Sequence, residues 1–336
     1  MIKINSPTLK GETTIPKASF RGIQKDSFGG GKTLIVILGP TAVGKTAVAI
    51  EFAKALDTEI ISADSRQFFR EMSIGTAKPS KEELAVVKHH FINSLSVTDE
   101  YNVGMFEQDA LKILDTLFQK KEIVIMAGGS GLYINAVCNG FDELPQANNE
   151  IRAKLAKMYK REGIEYLQNT LKKLDKEHFR KVDIKNPHRL IRAIEICMTT
   201  GKTYSELRKG EKKKRGFGII KIGLNMARIT LYKRINARVD EMIKLGLLEE
   251  VKSLAPIREG GKAGTTINSL QTVGYKELFD HLEGKTDLKQ AIELIKQNTR
   301  NFAKRQMTWF LKDKEIKWFE PDESGKILEY IQKGIP

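Results

Sequence analysis

Eight consecutive residues carry the most specific chemistry in the chain: Gly39-Pro40-Thr41-Ala42-Val43-Gly44-Lys45-Thr46. A glycine, four residues and then Gly-Lys-Thr is the spacing of a loop whose backbone N–H groups wrap a polyphosphate. The lysine reaches the outer phosphates and the threonine hydroxyl ligates a magnesium ion. Such a loop works only between a buried strand and the N-terminus of a helix. Both are readable, because the apolar run Leu34 to Leu38 precedes the loop and Ala47-Val48-Ala49-Ile50-Glu51-Phe52-Ala53 follows it. The motif specifies a di- or triphosphate but not what happens to it.

The next group able to do chemistry is Asp64, at the end of the apolar-to-polar run Glu59-Ile60-Ile61-Ser62-Ala63-Asp64-Ser65-Arg66-Gln67. Ligands of doubly wound sheets collect where the strands end, so Asp64 is expected beside the phosphate loop. There it would hold magnesium through water or act as a base; a helix cap is the plainer alternative. Gly128-Gly129-Ser130-Gly131-Leu132-Tyr133 follows the apolar run Ile123 to Ala127 and forms a second glycine turn at the same edge. It offers close backbone approach to a ligand, or simply a tight strand-to-helix turn. Arg234 and Arg238 stand at i, i+4 on a helical pattern from about Ile229 to Lys244, a spacing that also suits an ordinary surface pair. His89 and His90 open an expected strand to Ile92. They point to opposite faces with no acidic residue nearby, so packing or hydrogen bonding is favoured over metal.

Holding these groups at one edge requires an α/β fold, a parallel sheet flanked by helices and joined by right-handed crossovers. Residues 33–140 and 217–336 are expected to form this phosphate-loop core, including a helix from Val103 to Phe118 and a strand from Ile219 to Leu224. Residues 141–216 show only helical patterns and many basic residues, which suggests a helical insertion. It contains Arg152, the run Asn186-Pro187-His188-Arg189-Leu190-Ile191-Arg192, and the cluster Lys212 to Arg215, read as a solvated loop. A long helix over about 287–312 has an apolar stripe at Leu288, Ala291, Ile292, Ile295, Phe302 and Trp309. Thr299 and Gln306 fall on the same stripe and need polar partners. Residues 1–32 read as a disordered basic tail.

A formal charge of +15 and a pI near 9.5 point to a polyanionic partner such as nucleic acid. Only two cysteines occur, Cys138 and Cys197, which supports neither a disulfide framework nor a zinc finger. With no apolar run long enough for a membrane span and no secretory leader pattern, the expected location is the cytoplasm.

Taken in order, the motifs resemble one family, the tRNA dimethylallyltransferases or tRNA isopentenyltransferases. The resemblance rests on Gly39 to Thr46, Ile61 to Gln67, Ile74-Gly75-Thr76-Ala77-Lys78-Pro79, Gly128 to Tyr133, Asn186 to Arg192, Val273-Gly274-Tyr275-Lys276-Glu277 and Thr299 to Phe310. It implies transfer of a dimethylallyl group from dimethylallyl diphosphate to the exocyclic amino group of the adenine 3′ of the anticodon, in tRNAs reading codons that begin with U. By this likeness Thr46 ligates Mg2+, Lys45 and the loop hold the diphosphate, Arg238 helps hold it, and Asp64 deprotonates the amino group. The tRNA anticodon stem-loop would contact Asp64, Ser65, Arg66, Gln67, Ser130, Arg152, His188 to Arg192, and Gln271, Thr272, Val273, Gly274, Tyr275 and Lys276. Ser130 stands where the family usually has threonine, and the zinc finger of some eukaryotic members is absent. A monomer with no membrane partner is expected. The competing readings are a small-molecule kinase, an adenylate isopentenyltransferase, and an RNA-binding protein with a vestigial nucleotide site.

Overall fold

The structure, a computed structural model, describes residues 31–142, 144–259 and 267–334. The expected basic tail and the stretch 260–266 lie outside the described residues, apart from the two tail residues that lead into the first strand.

Its contacts divide the chain into two compact units, one of residues 1–138 and 215–336 and one of Asn139–Lys214. The first is built on a six-stranded sheet in the order β3-β2-β4-β1-β5-β6, with every pairing parallel. The strands are β1 (Thr33–Leu38), β2 (Ile60–Ser62), β3 (His89–His90), β4 (Ile123–Gly128), β5 (Gly218–Leu224) and β6 (Lys317–Phe319). Parallel strands covered on both faces read as continuous apolar runs, and β1 is the clearest case. Ile35 and Ile37 enter one core with Ile123, Ile125, Ile220, Ile222 and Phe52, while Leu34, Val36 and Leu38 enter another with Val124, Met126, Phe106 and Phe310. At about 1.5–3 kcal/mol for each fully buried large aliphatic side chain, this two-sided burial fixes β1 at the centre of the sheet.

The expected strand from His89 to Ile92 stops at His90, because Phe91 and Asn93 take positive φ values of 64° and 54° and turn the chain away. Beyond the last expected helix the chain adds β6 and a terminal helix (Ser324–Gly334) that packs Ile327 and Ile331 into the first core. A three-residue strand is too short to show periodicity. The long helix runs Leu288–Phe310, and its buried face matches the expected stripe at Ala291, Ile295 and Gln306 but departs from it at Phe302 and Trp309. Ala291, Ile295, Ala303, Gln306 and Phe310 are buried, whereas Phe302 and Trp309 are 40% and 44% exposed.

The second unit is helical throughout its assigned elements: Asn149–Glu162, Ile164–Leu174, Lys176–Lys181, Pro187–Thr200 and Tyr204–Leu207. Its core is Leu155, Leu167, Leu171, Leu190, Ala193 and Ile194. Asn186 caps the fourth of these helices by accepting from Arg189 N, Pro187 occupies its first turn, and Gly201 ends it in the left-handed region. Asn-Pro is therefore a helix start signal in its own right. Among the described residues no helix is long and apolar enough to cross a membrane.

Candidate active site at the carboxyl edge of the sheet

The phosphate loop leaves β1 at Leu38 and enters the helix Lys45–Ala55. Gly44, at the N-cap, has φ 114°, a conformation that glycine adopts without strain, and no side chain caps the helix. Its first N–H groups are thus left for an anion. Val43 is fully buried and anchors the loop in the core, and Ala42 sits at φ 65°.

A cleft at this edge is lined by Thr41, Lys45, Thr46, Asp64, Gln67, Gly129, Arg238 and Gln306, with Ser62, Thr76, His89 and Phe302 on its walls. The sequence-predicted Thr41, Lys45, Thr46, Asp64, Gln67 and Arg238 therefore meet in one place, although 197 residues separate Thr41 from Arg238. The surface-pair alternative fails for Arg238, whose NH1 lies 3.5 Å from Thr41 Oγ1. Lys45 Nζ donates to Pro40 O at 2.8 Å. Burial pushes its ammonium down to about 7, assisted by the Arg238 charge and opposed by that of Asp64. Burial also holds the Arg238 guanidinium below its usual range, again with Asp64 pulling the other way. Asp64 Oδ1 accepts from Arg66 N at 3.0 Å, which fixes the carboxylate at the strand end.

Sequence reasoning missed the role of Gln306. Its amide reaches from the long helix to both glycine turns, Oε1 accepting from Thr41 N at 2.8 Å and Nε2 donating to Gly129 O at 2.9 Å. A Cβ on Gly129 would collide with that amide, so this glycine is required by close approach. The signal available was a polar residue on an inward stripe. His90 also differs from expectation, since it has an acidic partner, Glu59 Oε2 at 2.6 Å. His89 bonds Val87 O through Nδ1 and lines the cleft. Paired strands brought Glu59 and His90 together across a sequence gap that pattern reading does not bridge.

The residues expected to touch RNA fall into distinct environments. Ser130 Oγ accepts from Ser65 N at 2.9 Å, and Arg66 Nε donates to Thr272 Oγ1 at 2.6 Å, joining three of the expected segments beside the cleft. Gln271 and Lys276 are exposed, and Val273 packs in a third apolar cluster. Gly274 and Tyr275 are buried, the tyrosine donating its hydroxyl to Glu250 Oε1 at 2.6 Å. In the helical unit His188 and Arg189 are exposed, Ile191 packs against the core and Leu190 lies within it. Arg152 and Arg192 both pair with the buried Glu195, at 2.8 and 3.1 Å, and Arg192 NH2 also donates to Pro145 O at 2.7 Å. Of the expected solvated cluster, Arg215 is nearly buried and pairs with Glu107 at 2.7 Å while donating to Ala136 O and Val137 O.

A strand, phosphate loop and helix that share a cleft with a carboxylate and an arginine frame comparison with known proteins. The profile described as IPP transferase matches residues 67–313. The chain belongs to the IPP transferase family. A relative from Christiangramia forsetii described as a tRNA dimethylallyltransferase is 53% identical over 303 residues, covering 90% of this chain and 98% of that protein. A tRNA dimethylallyltransferase 1 from Bacteroides fragilis is 48% identical over 304 residues, covering 90% and 99%. Among solved structures, the full-length tRNA isopentenylpyrophosphate transferase of Bacillus halodurans is 35% identical with a TM-score of 0.65, covering 90% of this chain and 97% of that one. A eukaryotic dimethylallyltransferase described as acting on tRNA is 27% identical with a TM-score of 0.71, covering 86% and 73%. This IPP transferase therefore has the α/β phosphate-loop fold of a prenyltransferase.

Proposed function

We infer that the chain transfers the dimethylallyl group of dimethylallyl diphosphate to the exocyclic amino group of the adenine 3′ of the anticodon, in tRNAs reading codons that begin with U. The observation that carries this reading is the meeting of Asp64, Lys45, Thr46 and Arg238 in one cleft of an IPP transferase. In the reaction the allylic C–O bond breaks and its electrons leave with the diphosphate, while the amino nitrogen forms the new C–N bond and gives up a proton. The loop N–H groups, Lys45 and Arg238 meet the charge that grows on the leaving group, which is where preorganised donors lower a barrier most. The adenine amine is a poor nucleophile because its lone pair is conjugated with the ring. Asp64 takes the proton as the bond forms.

The hydroxyl oxygen of Thr46 suits a hard cation, and the described residues contain no cluster of three or more His, Cys, Asp or Glu that would cage one without substrate. This fits Mg2+ held by one or two protein oxygens together with substrate phosphates. When bound, it offsets charge on the departing diphosphate. The target adenine must leave its stack to reach the sheet edge. Exposed Arg189, His188, Gln271 and Lys276 suit contacts to the stem-loop. The joined Ser65–Ser130 and Arg66–Thr272 pairs rigidify the rim beside Asp64.

The test is incubation with radiolabelled dimethylallyl diphosphate and unmodified anticodon stem-loop, with AMP and ATP as competitors. Label is expected in the RNA alone. Equal labelling of AMP, or phosphoryl transfer from ATP in its place, overturns the reading.

A further inference from the structure

We propose that Arg234 is a second guanidinium for the diphosphate of the substrate, set one helical turn before Arg238 on the helix Arg228–Lys244; the inference rests on the reading given above. Buried Leu231, Ile235 and Val239 fix the orientation of this helix, and the i, i+4 spacing puts Arg234 and Arg238 on one face. Arg238 reaches Thr41 Oγ1 in the first half of the phosphate loop. Arg234 reaches the second half, its NH2 lying 3.9 Å from the position a Cβ on Gly44 would occupy, with Pro321 3.6 Å from the same point. The two guanidinia thus bracket the loop whose N–H groups open the helix Lys45–Ala55.

What singles out Arg234 is the lack of anything to neutralise it. Neighbouring cations are engaged: Arg228 stacks on Tyr232 with 5.1 Å to the ring centroid, Lys296 pairs with Asp240 at 2.8 Å, and Arg300 donates to Asn236 at 2.6 Å. Arg238 feels the opposite charges of Asp64 and Glu83. Arg234 is half-buried, and among the described residues it has neither a hydrogen bond nor an ion pair. Its charge and that of Arg238 repel. Placing an unpaired cation partly out of water beside another cation is costly unless a ligand supplies the counter-charge. A diphosphate ester has that charge, and a planar fork of N–H donors matches phosphate oxygens two at a time. Because the leaving diphosphate gains negative charge as the C–O bond breaks, this contact strengthens towards the transition state and contributes to kcat as well as to binding.

The experiment compares the full chain with Arg234→Met, which keeps bulk and removes charge, and Arg234→Lys. Affinity for inorganic diphosphate is measured by calorimetry, and thermal unfolding is followed with and without ligand. Arg234→Met is expected to bind diphosphate at least tenfold more weakly, with a smaller ligand-induced rise in Tm and a lower kcat, and Arg234→Lys to fall between it and wild type. The ligand-free Tm of Arg234→Met is expected to equal or exceed that of wild type, since a repulsion is removed. Equal diphosphate affinity in all three proteins, or a lowered ligand-free Tm with an unchanged ligand-induced rise, overturns the assignment. If wild type binds diphosphate through Arg234 but prenylates no RNA, the functional reading falls and Arg234 stands. If transfer is robust and Arg234→Met binds as wild type does, only Arg234 falls.

Discussion

The phosphate cleft and the helical unit are both rich in arginine, yet they treat it in opposite ways. Lys45 and Arg238 line the cleft, Arg234 lies one helical turn before Arg238, and burial lowers the proton affinity of all three. In the helical unit, Arg152 and Arg192 converge on the fully buried Glu195, which also accepts from Asn148 N at 2.6 Å. A cation paired with a carboxylate inside the protein holds structure, whereas on the reading proposed above the cations beside the open helix N-terminus receive their counter-charge from an incoming anion. Sequence resemblance alone does not separate the two, since it implies a ligand contact for Arg192 and for Arg238 alike. The partner of each arginine does.

The largest expected effect falls on the cleft. Asp64→Ala should lower the single-turnover transfer rate by roughly 10²–10⁴, the usual range for general acid–base catalysis, while stem-loop binding is retained. Near-normal turnover would remove Asp64 from proton transfer and leave the cleft with an electrostatic role only. On the other side, Leu190→Ala should cost about 2–5 kcal/mol of stability through the cavity it opens in the core of the helical unit. Calorimetric unfolding reads it directly. A stability unchanged from wild type would return Leu190 to the list of RNA contacts.

A smaller effect is expected in pH dependence. In the free protein burial holds Lys45 at about 7, and a bound diphosphate favours its charged form. Below pH 7 Lys45 is protonated in both states and contributes no slope. Above pH 7 binding must take up a proton, so affinity weakens with rising pH by up to about tenfold per unit. Lys45→Arg stays protonated throughout, and subtracting its profile removes the ionisation of the ligand itself. Parallel profiles for the two proteins would show that Lys45 is charged before the ligand arrives. The smallest effect is reserved for the surface. Arg189→Ala should flatten the logarithmic salt dependence of stem-loop affinity by about 0.7–0.9 and weaken cognate and non-cognate stem-loops alike, as loss of one phosphate contact does. Arg192→Ala should instead lower Tm, because Glu195 loses a partner. A matching change in salt slope for Arg192→Ala would erase the distinction between paired and exposed arginines.

The sequence by itself determined the phosphate loop, the central strands and the reach of the long helices, because each rests on neighbours in the chain. Successive N–H groups make the loop, a continuous apolar run makes a two-sided parallel strand, and Asn186-Pro187 starts a helix wherever it packs. The placement of Asp64 beside the loop was legible for the same reason, as strand ends in such sheets share one edge. Only the tertiary structure decided what crosses long intervals of chain. Gln306 reaches Thr41 across 265 residues, Arg66 reaches Thr272 across 206, and His90 finds Glu59 just ahead of the adjacent strand. Tertiary packing also buried Ala303 on the long helix while leaving Phe302 and Trp309 partly exposed, against the order of hydrophobicity. The physical reason is that periodicity fixes which residues share a face, but the size and polarity of the surface that receives the helix fix which face is buried. Here the glycine turn receives the Gln306 amide at Gly129 and the edge of the Trp309 indole at Gly131, so closely that a Cβ at either glycine would collide.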